Sequence, residues 1–91
     1  MKKLFQQIDD LCVTASIAGI CSALQLDSEI RTRNGGCDWV TVKFGRTPHL
    51  LPGTTDPLWR RKWRKFLTDH VDEIANNLDA VAAAARDGQS G

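Results

Sequence analysis

The three cysteines and two histidines of this 91-residue chain form no C-x2-C and no H-x3-H pair. Spacing alone therefore builds no zinc site from Cys12, Cys21, Cys37, His49 and His70. An odd cysteine count at irregular intervals is no disulfide framework either. Free thiols packed as small apolar side chains are expected, with no metal and no cofactor. A Walker loop, a nucleophile elbow and the recognised acid–base signatures are all missing. No catalytic residue is assigned, and the chain reads as a non-enzyme. Asn34-Gly35-Gly36 lies inside a hairpin pattern rather than between strand and helix, which makes it a turn and not a phosphate cradle.

Long apolar runs are missing too. No stretch of 18 apolar residues occurs, so no membrane partner is expected. Met1-Lys2-Lys3 resembles the opening of a signal peptide, but Gln6, Gln7, Asp9 and Asp10 interrupt the place where its hydrophobic region begins. Ile20 stands where a lipoprotein cleavage site needs a small residue, and a cytoplasmic location is the expectation.

An excess of either charge is absent as well. Twelve Lys and Arg meet eleven Asp and Glu for a net charge of +1, so no whole-molecule field draws nucleic acid. With 42% apolar and 25% charged residues the composition is that of an ordinary globular protein. The length suits one compact domain over residues 1–87, with Gly88 opening a flexible tail over 88–91.

What is present is concentrated. Between Pro57 and Phe66 stand two of the three tryptophans and five of the twelve cations: Arg60, Arg61, Lys62, Arg64 and Lys65. Asp56 reads as the N-cap and Pro57 as the first helical residue. The cations then crowd the positive end of the helix dipole and form like-charged i,i+4 pairs. That conflict between local rules points to an acidic partner. From Arg31 to Lys65 only Asp38 and Asp56 oppose the basic residues, whereas Asp69, Asp72, Glu73 and Asp79 form an acidic stretch beyond.

The fold expected is α+β: a long N-terminal helix, a β-hairpin, a Pro/Gly linker, and a long C-terminal helix or helix pair. Residues 3–26 carry Leu4, Ile8, Leu11, Ala15 and Ala18 on one helical stripe, and Ala15, Ser16, Ala18 and Gly19 suit a tight crossing by a second helix. Residues 28–33 and 38–44 alternate as two strands, with Val40, Val42 and Phe44 inward and Arg31, Arg33, Trp39 and Lys43 outward. Residues 45–56 read as a linker holding Pro48, Pro52 and the loop residue His49. Trp59, Trp63, Phe66, His70, Ile74, Leu78 and Val81 keep one face over residues 57–86. Unbroken, that helix spans about 45 Å against a domain diameter of roughly 30 Å, and it would project and favour a homodimer. A break at Thr68-Asp69 is the alternative, but the lack of Gly or Pro favours continuity. Val40, Val42, Phe44, Trp63, Ile74 and Leu78 are expected in the core.

Three readings compete for the basic helix. The plainest makes its tryptophans core and its cations a solvated face. The functional one is non-catalytic binding of an acidic protein surface through Arg60, Arg61, Lys62, Arg64, Lys65, Arg31, Arg33, Trp39 and Lys43. Small bacterial or phage accessory and inhibitor factors are of this size and style. The alternative is a nucleic-acid-binding module using the same residues, with Trp39 stacking on bases.

Overall fold

The apolar stripe of the first third folds as two helices rather than one. A computed structural model describes the backbone of residues 2–90 and the side chains of residues 3–86. It places α1 at Lys2–Thr14 and α2 at Ile17–Ala23. The break has a local cause. Thr14 Oγ1 donates back to Asp10 O at 2.8 Å, and Ser16 turns extended (φ −74°, ψ 166°) so that its hydroxyl accepts the Gly19 N–H at 3.1 Å. Serine is worth more as an N-cap than inside a helix, because its oxygen satisfies a donor that the helix start leaves unpaired. The interruption also changes the phase: Ile17, Ile20, Cys21 and Leu24 are buried, while Ala18 is exposed. The small residues serve the bend and not a helix crossing. A Cβ on Gly19 would meet only Ser16 Oγ at 3.3 Å and Ala15 Cβ at 3.5 Å.

The hairpin forms as its turn chemistry dictates, with β1 at Asp27–Arg33 and β2 at Gly36–Phe44. Asn34 (φ 52°) and Gly35 (φ 81°) supply the two positive φ values that a tight two-residue turn needs. The expected linker is in large part a third strand. β3 (Thr47–Pro52) pairs antiparallel with β2 to give a sheet of order β1-β2-β3. Its prolines misled the sequence reading. Gly53 N–H donates to Asp38 O at 2.9 Å, so by alternation the odd-numbered positions of β3 face β2. Pro48 and Pro52 therefore sit where a missing N–H leaves no ladder bond unmade.

Leu51 stands opposite Val40 and His49 opposite Val42, on the face that meets the helices. An irregularity in register at Arg31/Thr32 sets Thr32 against Cys37 while Arg31 stays against Trp39, so β2 has one extra residue there. That turns Cys37 toward the core, against which it packs.

The C-terminal segment is a helix pair: α3 (Trp59–Asp69) and α4 (Val71–Ser90), parted at His70 (φ −112°, ψ 23°). Asp72 and Glu73 occupy the first turn of α4, where carboxylates favour the dipole. α4 runs past Gly88; Gly91, and the side chains of 87–91 on which the expected tail falls, lie outside the described residues.

The helices cover one face of the sheet. Ile8, Ile20, Leu24, Val40, Val42, Trp63, Leu67 and Ile74 are the largest fully buried side chains. Phe44 and Leu78, expected in the core, are only partly buried against it. The break at His70 does not abolish the projection expected of one long helix. Val81 and residues 82–86 are exposed, and the molecule measures 45 × 27 × 23 Å. Its radius of gyration of 13.9 Å exceeds the ~12 Å typical of this length.

Candidate functional site

Three of the five cations that seemed misplaced at the start of α3 answer to other parts of the chain. Arg60 Nη1 donates to Cys12 O at 3.0 Å and to Ala15 O at 2.9 Å, and its guanidinium lies 4.3 Å from the centre of the Trp59 ring. A positive charge that clashes with its own helix dipole thus completes the carbonyl end of α1, where cations are favoured. Arg64 Nε binds Asp9 Oδ1 at 2.7 Å, again reaching α1. Lys62 Nζ binds Asp56 Oδ2 at 2.6 Å.

Asp56 is not the N-cap. α3 begins at Trp59 with Leu58 in that position and no side-chain cap. Asp56 Oδ1 instead accepts the Leu58 N–H at 2.8 Å, and its backbone O accepts the Trp59 N–H at 3.1 Å. The Lys62 ammonium, and then the Leu58 N–H, hold the Asp56 carboxyl below its ordinary range.

Removing the Arg60 donors tests the capping role. Arg60→Met is expected to lose about 1–3 kcal/mol of unfolding free energy, because two carbonyls lose a charged partner. Arg61→Met should stay within about 0.5 kcal/mol of wild type. Urea unfolding of both proteins, with midpoints compared at unchanged slope, reads the difference.

Of the five helix cations, Arg61 and Lys65 have no ion pair among the described residues. They border a shallow hollow with Thr68 and Asp69. Each lies two residues from the buried Trp63, hence about 200° around the helix from it. They therefore face away from the sheet.

The remaining expected contacts lie on the opposite side of the molecule. Trp39 is 50% exposed and Leu50 is 64% exposed, both on the sheet face that no helix covers. Arg31 pairs with Trp39 across β1 and β2, and Lys43 follows four pairs further along, opposite Asp27. Arg33 stands beyond the irregular register, opposite Gly36 at the turn. The nine residues expected to form one partner surface thus divide. Arg31, Arg33, Trp39 and Lys43 stay with the sheet, Arg61 and Lys65 lie on the back of α3, and Arg60, Lys62 and Arg64 are engaged within the fold.

Sequence reasoning missed a second cluster. His49 is no loop residue but the inward side chain of β3 opposite Val42. Its ring centre lies 4.8 Å from that of His70, 5.2 Å from Phe66 and 5.6 Å from Phe44. Phe44 and His70 stack at 5.4 Å with 16° between planes. Glu73, three residues beyond His70, is exposed at the margin of this box. Reading residues 47–51 as a strand would have put His49 on the Leu51 face and signalled the cluster.

All three cysteines are free, with Cys12 and Cys21 buried and Cys37 half-buried. Burial pushes the Cys12 and Cys21 thiols up, which keeps them protonated and unreactive. Among the described residues, no helix is long and apolar enough to cross a membrane. Comparison of the chain with protein families, with curated proteins and with solved structures finds no match.

Proposed function

We propose that the chain is a small non-catalytic binding protein that docks an acidic protein surface with the uncovered face of its sheet. The observation that carries this reading is Trp39, half exposed and set opposite Arg31 in the middle of that face. A tryptophan left in solvent beside a second bare apolar residue, Leu50, and opposite Arg31 has the composition of an interaction hot spot. Arg31, Arg33 and Lys43 outnumber Asp27 and Glu29 on this face, which favours an acidic partner and speeds its approach. The helix cations stand on the other side of the molecule from this face and add nothing to such contact, which narrows the expected surface to Arg31, Arg33, Trp39 and Lys43.

Affinity capture with wild type, Trp39→Ala/Arg31→Glu and Arg61→Glu/Lys65→Glu, each with and without nuclease, tests this reading. The wild type and the helix variant should retain the same partner after nuclease. The sheet variant should lose at least ~2 kcal/mol of affinity, roughly 30-fold, when the recovered pair is titrated. Loss on nuclease treatment would assign the face to nucleic acid instead. Equal capture by the sheet variant, or loss confined to the helix variant, overturns the assignment.

A further inference from the structure

The aromatic box between β3 and the α3–α4 joint has the donors of a metal site. His49, His70 and Glu73 each present a ligand atom, and all three atoms lie within 4.8 Å of one another. They come from three separate elements: the inward face of β3, the residue that ends α3, and the first turn of α4. His70 and Glu73 lie one turn apart where α3 meets α4, so the long-range convergence is that of His49, which β3 brings onto that pair.

The orientation of His70 is a second, independent observation. Its Nδ1 lies 2.8 Å from Phe66 O. A carbonyl oxygen can only accept, so Nδ1 carries the proton and Nε2 keeps its lone pair. A histidine that donates one ring N–H to a backbone carbonyl while offering the other nitrogen is the arrangement that orients metal ligands and raises their basicity. Phe44 and Phe66 pack against both imidazoles and shield them from water on that side. Beside the box a cavity of about 590 Å³ opens, lined in part by Lys43, Phe44, His49, Glu73, Asn76 and Asn77.

We propose that His49, His70 and Glu73 bind a divalent first-row metal ion, with zinc as the reference case, and that the cavity gives access to its remaining coordination position. Two imidazoles and a carboxylate are a donor set suited to such ions, and three protein ligands leave a fourth tetrahedral position to solvent or a small ligand. Donor atoms around a tetrahedral ion with bonds of ~2.0–2.1 Å lie roughly 3.4 Å apart. Rotation of the exposed Glu73 side chain shortens its own two separations, and the two imidazoles must draw together for the third. The ion then ties β3 to both C-terminal helices, so its uptake raises stability. This site lies on the helix side of the sheet and does not depend on the partner surface proposed above.

Zinc titration of the full chain by calorimetry, with thermal melts in added zinc and in EDTA, is the test. Wild type should take up one equivalent. At free zinc ~100-fold above Kd its melting temperature should rise on the order of 10 °C and return in EDTA. Glu73→Gln should melt within a few degrees of wild type in EDTA, because Glu73 is exposed and gives up only its dipole contact, yet bind zinc at least roughly tenfold more weakly. His49→Gln should bind as weakly, with a lower melting temperature in EDTA because it also loses its ring contacts, and Cys37→Ser should bind as wild type does. No uptake by wild type at roughly 100 µM zinc, a Kd weaker than ordinary protein sites, overturns the proposal. So does equal uptake by Glu73→Gln and His49→Gln, or uptake abolished by Cys37→Ser.

Discussion

Trp63→Ala is expected to cost about 3–5 kcal/mol of unfolding free energy, enough to leave a domain of this size barely folded at room temperature. The indole is fully buried at the meeting of α3 with the sheet. Its removal opens the largest cavity any single truncation could make here, between elements that cannot collapse onto one another. It also strips the Nε1–H that Pro52 O accepts at 2.7 Å. Trp63→Phe separates the two effects. It keeps most of the volume and leaves Pro52 O without that partner, for an expected loss of about 1–3 kcal/mol. Urea unfolding followed by far-ultraviolet circular dichroism reads both, since Trp39 and Trp59 confuse a fluorescence signal. Equal stability of Trp63→Ala and wild type would mean that α3 does not pack on the sheet through this residue.

Gly53→Ala is the second large effect, and it comes from one added methyl group. A Cβ at this position would lie 2.1 Å from Cys37 O, 2.5 Å from Cys37 C and 2.7 Å from Cys37 Sγ. Two of those atoms are backbone, so no rotamer change relieves the overlap. The strands must move apart, and the surrounding bonds go with them: Gly53 N–H to Asp38 O at 2.9 Å and Thr55 N–H to Cys37 O at 3.2 Å. A loss of about 3 kcal/mol or more follows, seen as a fall in melting temperature of more than ~10 °C. Gly36→Ala is the control. Its Cβ would meet nothing closer than Thr55 Cγ2 at 3.6 Å, an ordinary contact, so its melting temperature should move by only a few degrees. Equal melting of the two variants would show that the close approach at Gly53 does not exist.

What could be read in the sequence was whatever had a local cause. The period-2 alternation of Val40 and Val42 and the Asn34-Gly35 turn depend only on neighbours, and both appear where expected. The α+β architecture, with a hairpin followed by a long C-terminal helical segment, follows from such signals. Other features depend on residues far apart in the chain. Arg60 looked like a surface charge because its acceptors, Cys12 O and Ala15 O, lie 48 and 45 positions away. Gly53 looked like a plain Pro-Gly turn because Cys37, which forbids a side chain there, belongs to another strand. The break at His70 carries no glycine or proline, and its ring bond to Phe66 O is a property of the folded geometry. Ser16 was legible in principle. A serine three residues before Gly19 is an N-cap pattern that a run of small apolar neighbours disguised.

The two borders of the sheet are not alike, and that bears on how copies of the chain can meet. β3 turns residues 48, 50 and 52 outward, and two of the three are prolines with no N–H to give. The carbonyl of Pro52 is already taken by Trp63. Only Leu50 keeps both backbone groups available on that side. β1 has no proline, and its own outer border is covered by no strand. By its backbone groups β1, and not β3, is the border open to an added strand, and its charged residues Asp27, Glu29, Arg31 and Arg33 restrict which strands it admits. Fibres need two receptive borders per molecule, so that each copy can accept one neighbour and offer itself to the next. With a single receptive border, backbone pairing between copies ends in a closed two-fold pair.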